Sequence, residues 1–142
     1  MNNEAAVLKK AVLAAGSAIL QLQKTGFSVM RKENNDLLTQ ADLLANEILH
    51  KELLSAFPED GWLSEESVDD VARLTANRVW VVDPIDGTKE YARGVPQYSV
   101  SVALVEKGVP ILAAIFNPET NEYFSAIKGK GAWLWDQQIH CN

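Results

Sequence analysis

The order of its hydrophobic patterns constrains the fold of this chain more than any other feature. Apolar residues recur every three or four positions from Val7 to Leu22, which predicts an amphipathic helix that stops at Gly26. A second pattern of the same kind begins near Thr39 and is broken by Pro58. The N-terminal part of the chain is therefore expected to form two helices.

Strand-type patterns fill most of the remaining sequence. Residues 79–82 form a short apolar run, residues 98–105 alternate between apolar and small side chains, and residues 111–116 and 122–127 continue the series. A polar turn between the last two runs is typical of a hairpin, and a further short strand is expected over 27–30. Two helices followed by hairpin-linked strands predict an α+β domain, with the N-terminal helices packed on a largely antiparallel sheet.

Composition excludes several classes of protein. With 142 residues, 47% hydrophobic and 23% charged, the chain has the balance of a globular domain. Its formal net charge is −6 without a basic cluster, so we expect no nucleic-acid polymer as a partner. No apolar run approaches the ~20 residues of a membrane span, and no secretory-signal pattern begins the sequence, so we expect no membrane association. The single cysteine, Cys141, favours a reducing, cytoplasmic location.

The segment 83–88, which reads DPIDGT, carries the densest chemical signal. It follows an apolar strand directly, so the sheet and the restricted turn at Pro84 hold the carboxylates of Asp83 and Asp86 near one place. Gly87 lets the backbone approach a ligand closely, and Thr88 begins a short helical turn with free N–H groups. These groups suit a hard divalent cation that holds a phosphate. The same residue types are common in an ordinary β-turn, so that interpretation stays open.

The segment 64–67, which reads SEES, is a second acidic candidate. Side chains alternate in direction along a strand, so only one of Glu65 and Glu66 is expected to face a given site. Asp69 and Asp70 continue the acidic composition. By itself the segment is therefore better explained as a solvated acidic loop.

Asp42 is a third candidate, at the start of the second predicted helix. It follows Thr39 by three residues, which is a helix-capping pattern with a purely structural explanation. A role as a base requires Asp42 to face Asp83 and Asp86, and sequence spacing does not decide between these two interpretations.

Taken together, these segments resemble the motifs of the inositol monophosphatase family. The family carries an acidic Glu-Glu motif and then a strand that ends in Asp-Pro-Ile/Leu-Asp-Gly-Thr, which correspond here to 62–67 (WLSEES) and 80–88 (WVVDPIDGT). Pro118 and the segment 129–133 (GKGAW) also match the family's pattern. The resemblance runs from the first helix onward and implies the sugar-phosphatase fold and a Mg²⁺-dependent phosphomonoesterase activity.

The resemblance also assigns roles residue by residue. The Mg²⁺ ligands that it implies are Glu65, Asp83, the backbone carbonyl of Ile85, and Asp86. Gly87 and Thr88 would donate amide groups to the substrate phosphate. Asp42 and Thr88 would orient and activate the attacking water, and Glu65 would count as catalytic through the metal that it holds. Bound Mg²⁺ would also explain how an acidic chain accepts an anionic substrate.

The residues after the DPIDGT segment point toward one substrate class. Lys89, Glu90 and Tyr91 resemble the Lys-Glu-Phe/Tyr of 3'(2'),5'-bisphosphate nucleotidases, which convert adenosine 3',5'-bisphosphate to AMP. Inositol-1-monophosphatase is the alternative, and a sugar bisphosphatase shares the same metal chemistry. The resemblance further implies sensitivity to lithium, a small-molecule phosphate monoester as the ligand, and homodimer formation.

Length separates this chain from the family it resembles. Family members are about twice as long, so the resemblance implies that residues 1–142 correspond to the N-terminal metal- and phosphate-binding domain, apparently truncated, with the second domain missing. The metal site would then be open on one side. An alternative of another class follows, in which the chain binds metal or phosphate or assembles with another subunit without catalysing turnover.

Overall fold

Two helices cover one face of a seven-stranded sheet in the computed structural model, which describes residues 1–141. The elements are, in chain order, α1 (Asn2–Thr25), β1 (Val29–Arg31), β2 (Leu37–Thr39), α2 (Gln40–Ala56), β3 (Gly61–Ser64), a 3₁₀ turn (Val71–Leu74), β4 (Arg78–Asp86), α3 (Thr88–Ala92), β5 (Ser99–Glu106), β6 (Val109–Asn117), β7 (Glu122–Ile127), β8 (Gly131–Leu134) and β9 (Gln137–Ile139). The α+β architecture predicted from the sequence is confirmed, including both long helices and the hairpin between β6 and β7.

The sheet is mixed, and its single parallel pair matters for function. Strand order follows the chain from β3 to β9, with β1 and β2 forming a separate antiparallel hairpin. All neighbours in the large sheet are antiparallel except β3 and β4, because the connection through the 3₁₀ turn returns the chain to the edge where β3 began. Ser64 pairs with Val82, so the carboxyl ends of β3 and β4 meet at one edge of the sheet.

The core lies between the two helices and the inner face of the sheet. Side chains on β4, β5 and β6 alternate, so every second residue points toward α1 and α2. Trp80 fills the centre of this layer with 0% exposure. The other fully buried side chains on the inner face and on the helices include Leu8, Val12, Ile19, Leu49, Leu53, Val100 and Leu104.

Helix α1 is long and apolar enough to resemble a membrane span. Its mean hydropathy reaches 1.5 over an eighteen-residue window, although Lys9 and Lys10 interrupt the apolar run. Its buried side chains, however, contact α2, β5 and β6. The helix therefore packs in this fold as a core helix, and its hydropathy is explained by the layer that it covers.

The segment 83–88 forms the end of a strand instead of an isolated turn. β4 continues through Asp86, and its pairing with β5 shifts register between Asp83 and Asp86. Such an irregularity changes the direction of the strand and re-aims the side chains that follow it. The ordinary β-turn interpretation is therefore wrong for residues 83–86, and the turn is confined to Gly87.

Close packing between α1 and β6 depends on Gly16. A Cβ atom at this position would lie 2.4 Å from the ring of Phe116. Phe116 is itself only 5% exposed. The ring has little room to move because protein interiors are densely packed. A glycine inside a helix is thus explained by the contact between the two layers.

We expect Gly16→Ala to lower the free energy of unfolding by about 1–3 kcal/mol, although alanine is the better helix former by about 1 kcal/mol. The new methyl group must displace the Phe116 ring. Urea denaturation of both proteins measures the difference. Ser17→Ala, at an exposed position in the same helix, is the control and should leave stability nearly unchanged. Stabilisation by Gly16→Ala would contradict this packing.

Candidate active site

A cavity of about 590 Å³ opens where β3 and β4 end beside the start of α2. Every site residue proposed from the sequence borders it: Asp42, Glu65, Asp83, Ile85, Asp86, Gly87 and Thr88. Residues from three separate segments of the chain thus share one cavity. The structure brings the candidates together, while their individual roles stay predictions.

The parallel pair β3–β4 supplies the acidic wall of this cavity. Because Ser64 lies opposite Val82, the next residues, Glu65 and Asp83, lie at neighbouring positions where β3 ends beside β4. The register shift after Asp83 then brings Asp86 to the same cavity. Local strand geometry therefore explains why two acidic segments far apart in sequence meet.

Asp42 combines the two roles that the sequence left open. Its Oδ2 atom accepts hydrogen bonds from the backbone N–H of Thr39 at 2.8 Å and from Thr39 Oγ1 at 2.7 Å. Its Oδ1 atom accepts a hydrogen bond from Thr88 Oγ1 at 2.8 Å. The side chain is 3% exposed. Asp42 caps α2 and also faces the segment that carries Asp83 and Asp86, so the capping pattern does not exclude a site role.

Gly87 allows the sharp change from β4 to α3. Its φ angle is +91°, and a Cβ atom would lie 2.8 Å from the carbonyl oxygen of Gln97. Both the backbone conformation and the lack of space therefore require glycine. Thr88 follows at the start of α3, with its hydroxyl directed at Asp42.

Both adjacent glutamates border the cavity, and the expectation that only one would face it is wrong. The reason is that β3 ends at Ser64, so strand alternation no longer applies at Glu65 and Glu66, which lie in a turn. The Glu66 side chain is 5% exposed, whereas that of Glu65 is 74% exposed. Glu65 thus lies at the mouth of the cavity and Glu66 lies deeper.

Lys32 is a site residue that sequence reasoning missed. It projects from the β1–β2 hairpin, forms an ion pair with Glu66, and lies 3.9 Å from Glu65 through its ammonium nitrogen. Burial alone would lower the pKa of Lys32, but the hydrogen bond to Glu66 and the neighbouring carboxylates raise it above its usual value. Thirty-four residues separate Lys32 from Glu66, so no local spacing signals this pair.

Burial and the acidic wall together raise the pKa of Asp83 to about 6. Burial of the carboxyl is the main cause, and the negative charges of Asp86, Glu65, Asp42 and Glu66 add to it. The carboxylates therefore repel one another, and Lys32 neutralises only part of their charge. An additional cation at this edge would relieve the repulsion.

The donor atoms of the cavity fit a hard divalent cation. Within residues 1–141, no three His, Cys, Asp or Glu side chains are already close enough together to hold a metal ion. The outward position of Glu65 contributes to this spread. Glu66 Oε2, however, is buried without a hydrogen-bond donor in the part of the chain described. An orphaned carboxylate oxygen among carboxylates and a backbone carbonyl is the donor chemistry that Mg²⁺ prefers.

Basic side chains surround the mouth of the same cavity. Arg31, Lys89 and Arg93 border it and are exposed to solvent. Arg31 comes from the β1–β2 hairpin, while Lys89 and Arg93 lie at α3, four residues apart. The cavity thus has acidic groups in its interior and cationic groups at its rim.

Comparison with known proteins identifies the group to which this chain belongs. The model of the inositol monophosphatase family matches residues 1–142. The chain is a member of that family. It is 40% identical over 137 residues to Nus factor SuhB of Xylella fastidiosa, covering 94% of this chain and 48% of that protein. It is 36% identical over 122 residues to the 3'(2'),5'-bisphosphate nucleotidase CysQ of Escherichia coli O157:H7, covering 84% of this chain and 49% of CysQ.

The family fold is also seen in solved structures. The crystal structure of SuhB from Bartonella henselae superimposes with a TM-score of 0.89 and 32% sequence identity, over 96% of this chain and 53% of that one. This member of the inositol monophosphatase family therefore spans about half the length of the relatives that it matches.

Without divalent metal, the contribution of Asp83 to thermal stability is expected to fall as the pH rises from about 4 to about 7, and Asp83→Asn should remove this fall. The folded-state pKa of Asp83 is about 6 against an ordinary value of 3.8, so the unfolded chain releases this proton first. Rising pH therefore favours unfolding in this window. Thermal melting in EDTA across this pH range should show a Tm advantage of Asp83→Asn that grows with pH. An advantage that is constant or shrinks would contradict the assignment.

Proposed function

We propose that this chain is a Mg²⁺-dependent phosphomonoesterase that hydrolyses a small phosphate monoester by attack of water. The observation that carries the proposal is the 2.8 Å hydrogen bond from Thr88 Oγ1 to Asp42 Oδ1 at a cavity that also contains an acidic cluster. A hydroxyl held by a buried carboxylate is a means of orienting water and removing its proton. Membership of the inositol monophosphatase family supports the same chemistry.

Thr88 and Asp42 act on the attacking water in this proposal. Because Thr88 Oγ1 donates its proton to Asp42, its lone pairs are free to accept a hydrogen bond from water. Thr39 fixes the Asp42 carboxylate through two hydrogen bonds to the other oxygen. When the water oxygen attacks phosphorus, its proton passes to Thr88 and the Thr88 proton passes to Asp42. The ester P–O bond breaks, and the departing alkoxide oxygen keeps the electron pair and takes a proton from solvent water.

Glu65, Asp83, Asp86 and the carbonyl of Ile85 would hold Mg²⁺, and Glu66 borders the same cavity. The bound metal would lower the pKa of its water and neutralise phosphate oxygens. Gly87 and Thr88 would donate amide hydrogen bonds to the phosphate. Gly87 has a left-handed backbone conformation and directly precedes Thr88, the first residue of α3.

We propose a substrate of the 3'(2'),5'-bisphosphate type, such as adenosine 3',5'-bisphosphate. A second phosphate on the substrate would find Lys89 and Arg93 at the cavity rim, about one helical turn apart on α3. Charge-assisted hydrogen bonds from such side chains favour a second phosphate over an uncharged sugar ring. The similarity to CysQ, a bisphosphate nucleotidase, supports this choice.

Two other functions remain as alternatives that the experiments below distinguish. Inositol 1-phosphate would be the substrate if the basic rim makes no contact with it. A non-catalytic role in binding or subunit assembly is the alternative of another class, and the similarity to the Nus factor SuhB supports it. We also propose a cytoplasmic location, because the single cysteine, Cys141, is exposed and free. We propose a homodimer on the ground of the family resemblance.

With Mg²⁺, the purified chain is expected to release phosphate from adenosine 3',5'-bisphosphate. EDTA should stop this reaction. Asp83→Asn should lower the rate by about 100-fold or more, because a direct metal ligand matters at least as much as its supporting partners. Thr88→Ala should lower kcat in a chain that still binds Mg²⁺. Lithium should inhibit the reaction. A folded, Mg²⁺-binding chain that turns over none of adenosine 3',5'-bisphosphate, inositol 1-phosphate and fructose 1,6-bisphosphate would reject the catalytic proposal.

Arg93→Ala tests the substrate class. It should raise KM for adenosine 3',5'-bisphosphate by about tenfold, the size of one charge-assisted hydrogen bond, and leave KM for inositol 1-phosphate nearly unchanged. Steady-state kinetics on both substrates measure the two values. Lys51→Ala removes an exposed positive charge from α2 that does not border the cavity, and it controls for net charge. Equal effects of Arg93→Ala on both substrates would contradict a second phosphate site at the rim.

A further inference from the structure

Helix α2 buries two polar side chains on the face that packs against the sheet. Asp42 and Asn46 lie one helical turn apart on that face, with 3% and 9% exposure, next to the buried Ala41, Ala45 and Leu49. A buried polar residue on an apolar helix face is costly unless it is fully hydrogen-bonded. The hydrogen bonds from Thr39 and Thr88 account for the burial of Asp42. The burial of Asn46 requires a separate explanation.

Asn46 hydrogen-bonds to both ends of the turn that carries the two glutamates. Its Oδ1 atom accepts a hydrogen bond from Ser64 Oγ at 2.7 Å, and its Nδ2 atom donates to Ser67 Oγ at 2.9 Å. Ser67 Oγ also accepts a hydrogen bond from Trp62 Nε1 at 3.0 Å. Ser64 Oγ in turn accepts the backbone N–H of Glu66. The side-chain amide of Asn46 therefore links the two ends of the turn over 64–67.

The position of Glu65 depends on this backbone more than on its own side-chain contacts. Its side chain is 74% exposed, and the neighbouring charge of Lys32 is 3.9 Å away. A weak, solvent-screened ion pair of this kind fixes little. The network through Asn46, by contrast, consists of buried or partly buried hydrogen bonds, which rigidify the groups that they join.

We propose that Asn46 is a positioning residue that fixes the Glu65–Glu66 turn opposite Asp83. Helix α2 then sets both sides of the site, since Asp42 holds Thr88 and Asn46 holds the two serines, Ser64 and Ser67, that flank the glutamates. The metal-binding part of this inference rests on the proposed function, whereas the ordering of the turn does not. Groups that orient metal ligands typically change metal affinity by about 10–100-fold when they are removed.

The test compares Asn46→Ala with Ala45→Gly in the full chain. Ala45→Gly weakens α2 at the adjacent buried position but touches none of the hydrogen bonds to the turn. ¹⁵N relaxation of the metal-free proteins reports the order of the Glu65 and Glu66 amides, and calorimetric titration with Mg²⁺ alone reports the metal affinity. We expect Asn46→Ala to mobilise both amides and to weaken Mg²⁺ binding about tenfold, with neither change in Ala45→Gly.

The two readouts separate failure of this inference from failure of the proposed function. A wild-type chain that binds no Mg²⁺ contradicts the proposed function, yet loss of order at Glu65 and Glu66 in Asn46→Ala would still support the positioning role. Unchanged order at both amides, or an equal change in Ala45→Gly, would overturn it. If Asn46→Ala fails to fold, Ser67→Ala, at a half-buried position, removes one arm of the network and is judged by the same criteria.

Discussion

The parallel pairing of β3 with β4 is the constraint on which the rest of the site depends. It places the residues after Ser64 beside Asp83 at one edge of an otherwise antiparallel sheet. The start of α2 reaches the same edge, because the hydrogen bond from Thr88 to Asp42 joins the helix to the end of β4. An antiparallel β3 would bring the other end of that strand to Asp83 and would leave Glu65 and Glu66 at the far edge.

Concentrating carboxylates at this edge has an electrostatic cost that the protein offsets only in part. Burial and neighbouring charges raise the pKa of Asp83, and Lys32 compensates mainly for Glu66. Sites that are unfavourable for the isolated protein are common where a ligand supplies the missing charge. In the proposed function, the same arrangement would let a chain with net charge −6 bind a phosphate ester, since a cation would lie between the two.

Local patterns in the sequence were sufficient for most of the fold but not for the whole site. Helical periodicity and the capping pattern at Thr39 located α2, and the apolar run before Asp83 located β4. The parallel pair, the ion pair of Lys32 and the hydrogen bonds of Asn46 join residues far apart in sequence, so no local pattern contains them.

The most direct test of a cation site at this edge is paramagnetic broadening by Mn²⁺ in amide NMR spectra of the chain. Mn²⁺ prefers the same oxygen ligands as Mg²⁺. We predict that substoichiometric Mn²⁺ broadens the amide signals of residues 64–67, 83 and 85–88 first, and that excess Mg²⁺ restores them. Broadening centred instead on the exposed acidic pair Asp69 and Asp70, with residues 83–88 unaffected, would contradict a metal site where β3 and β4 end.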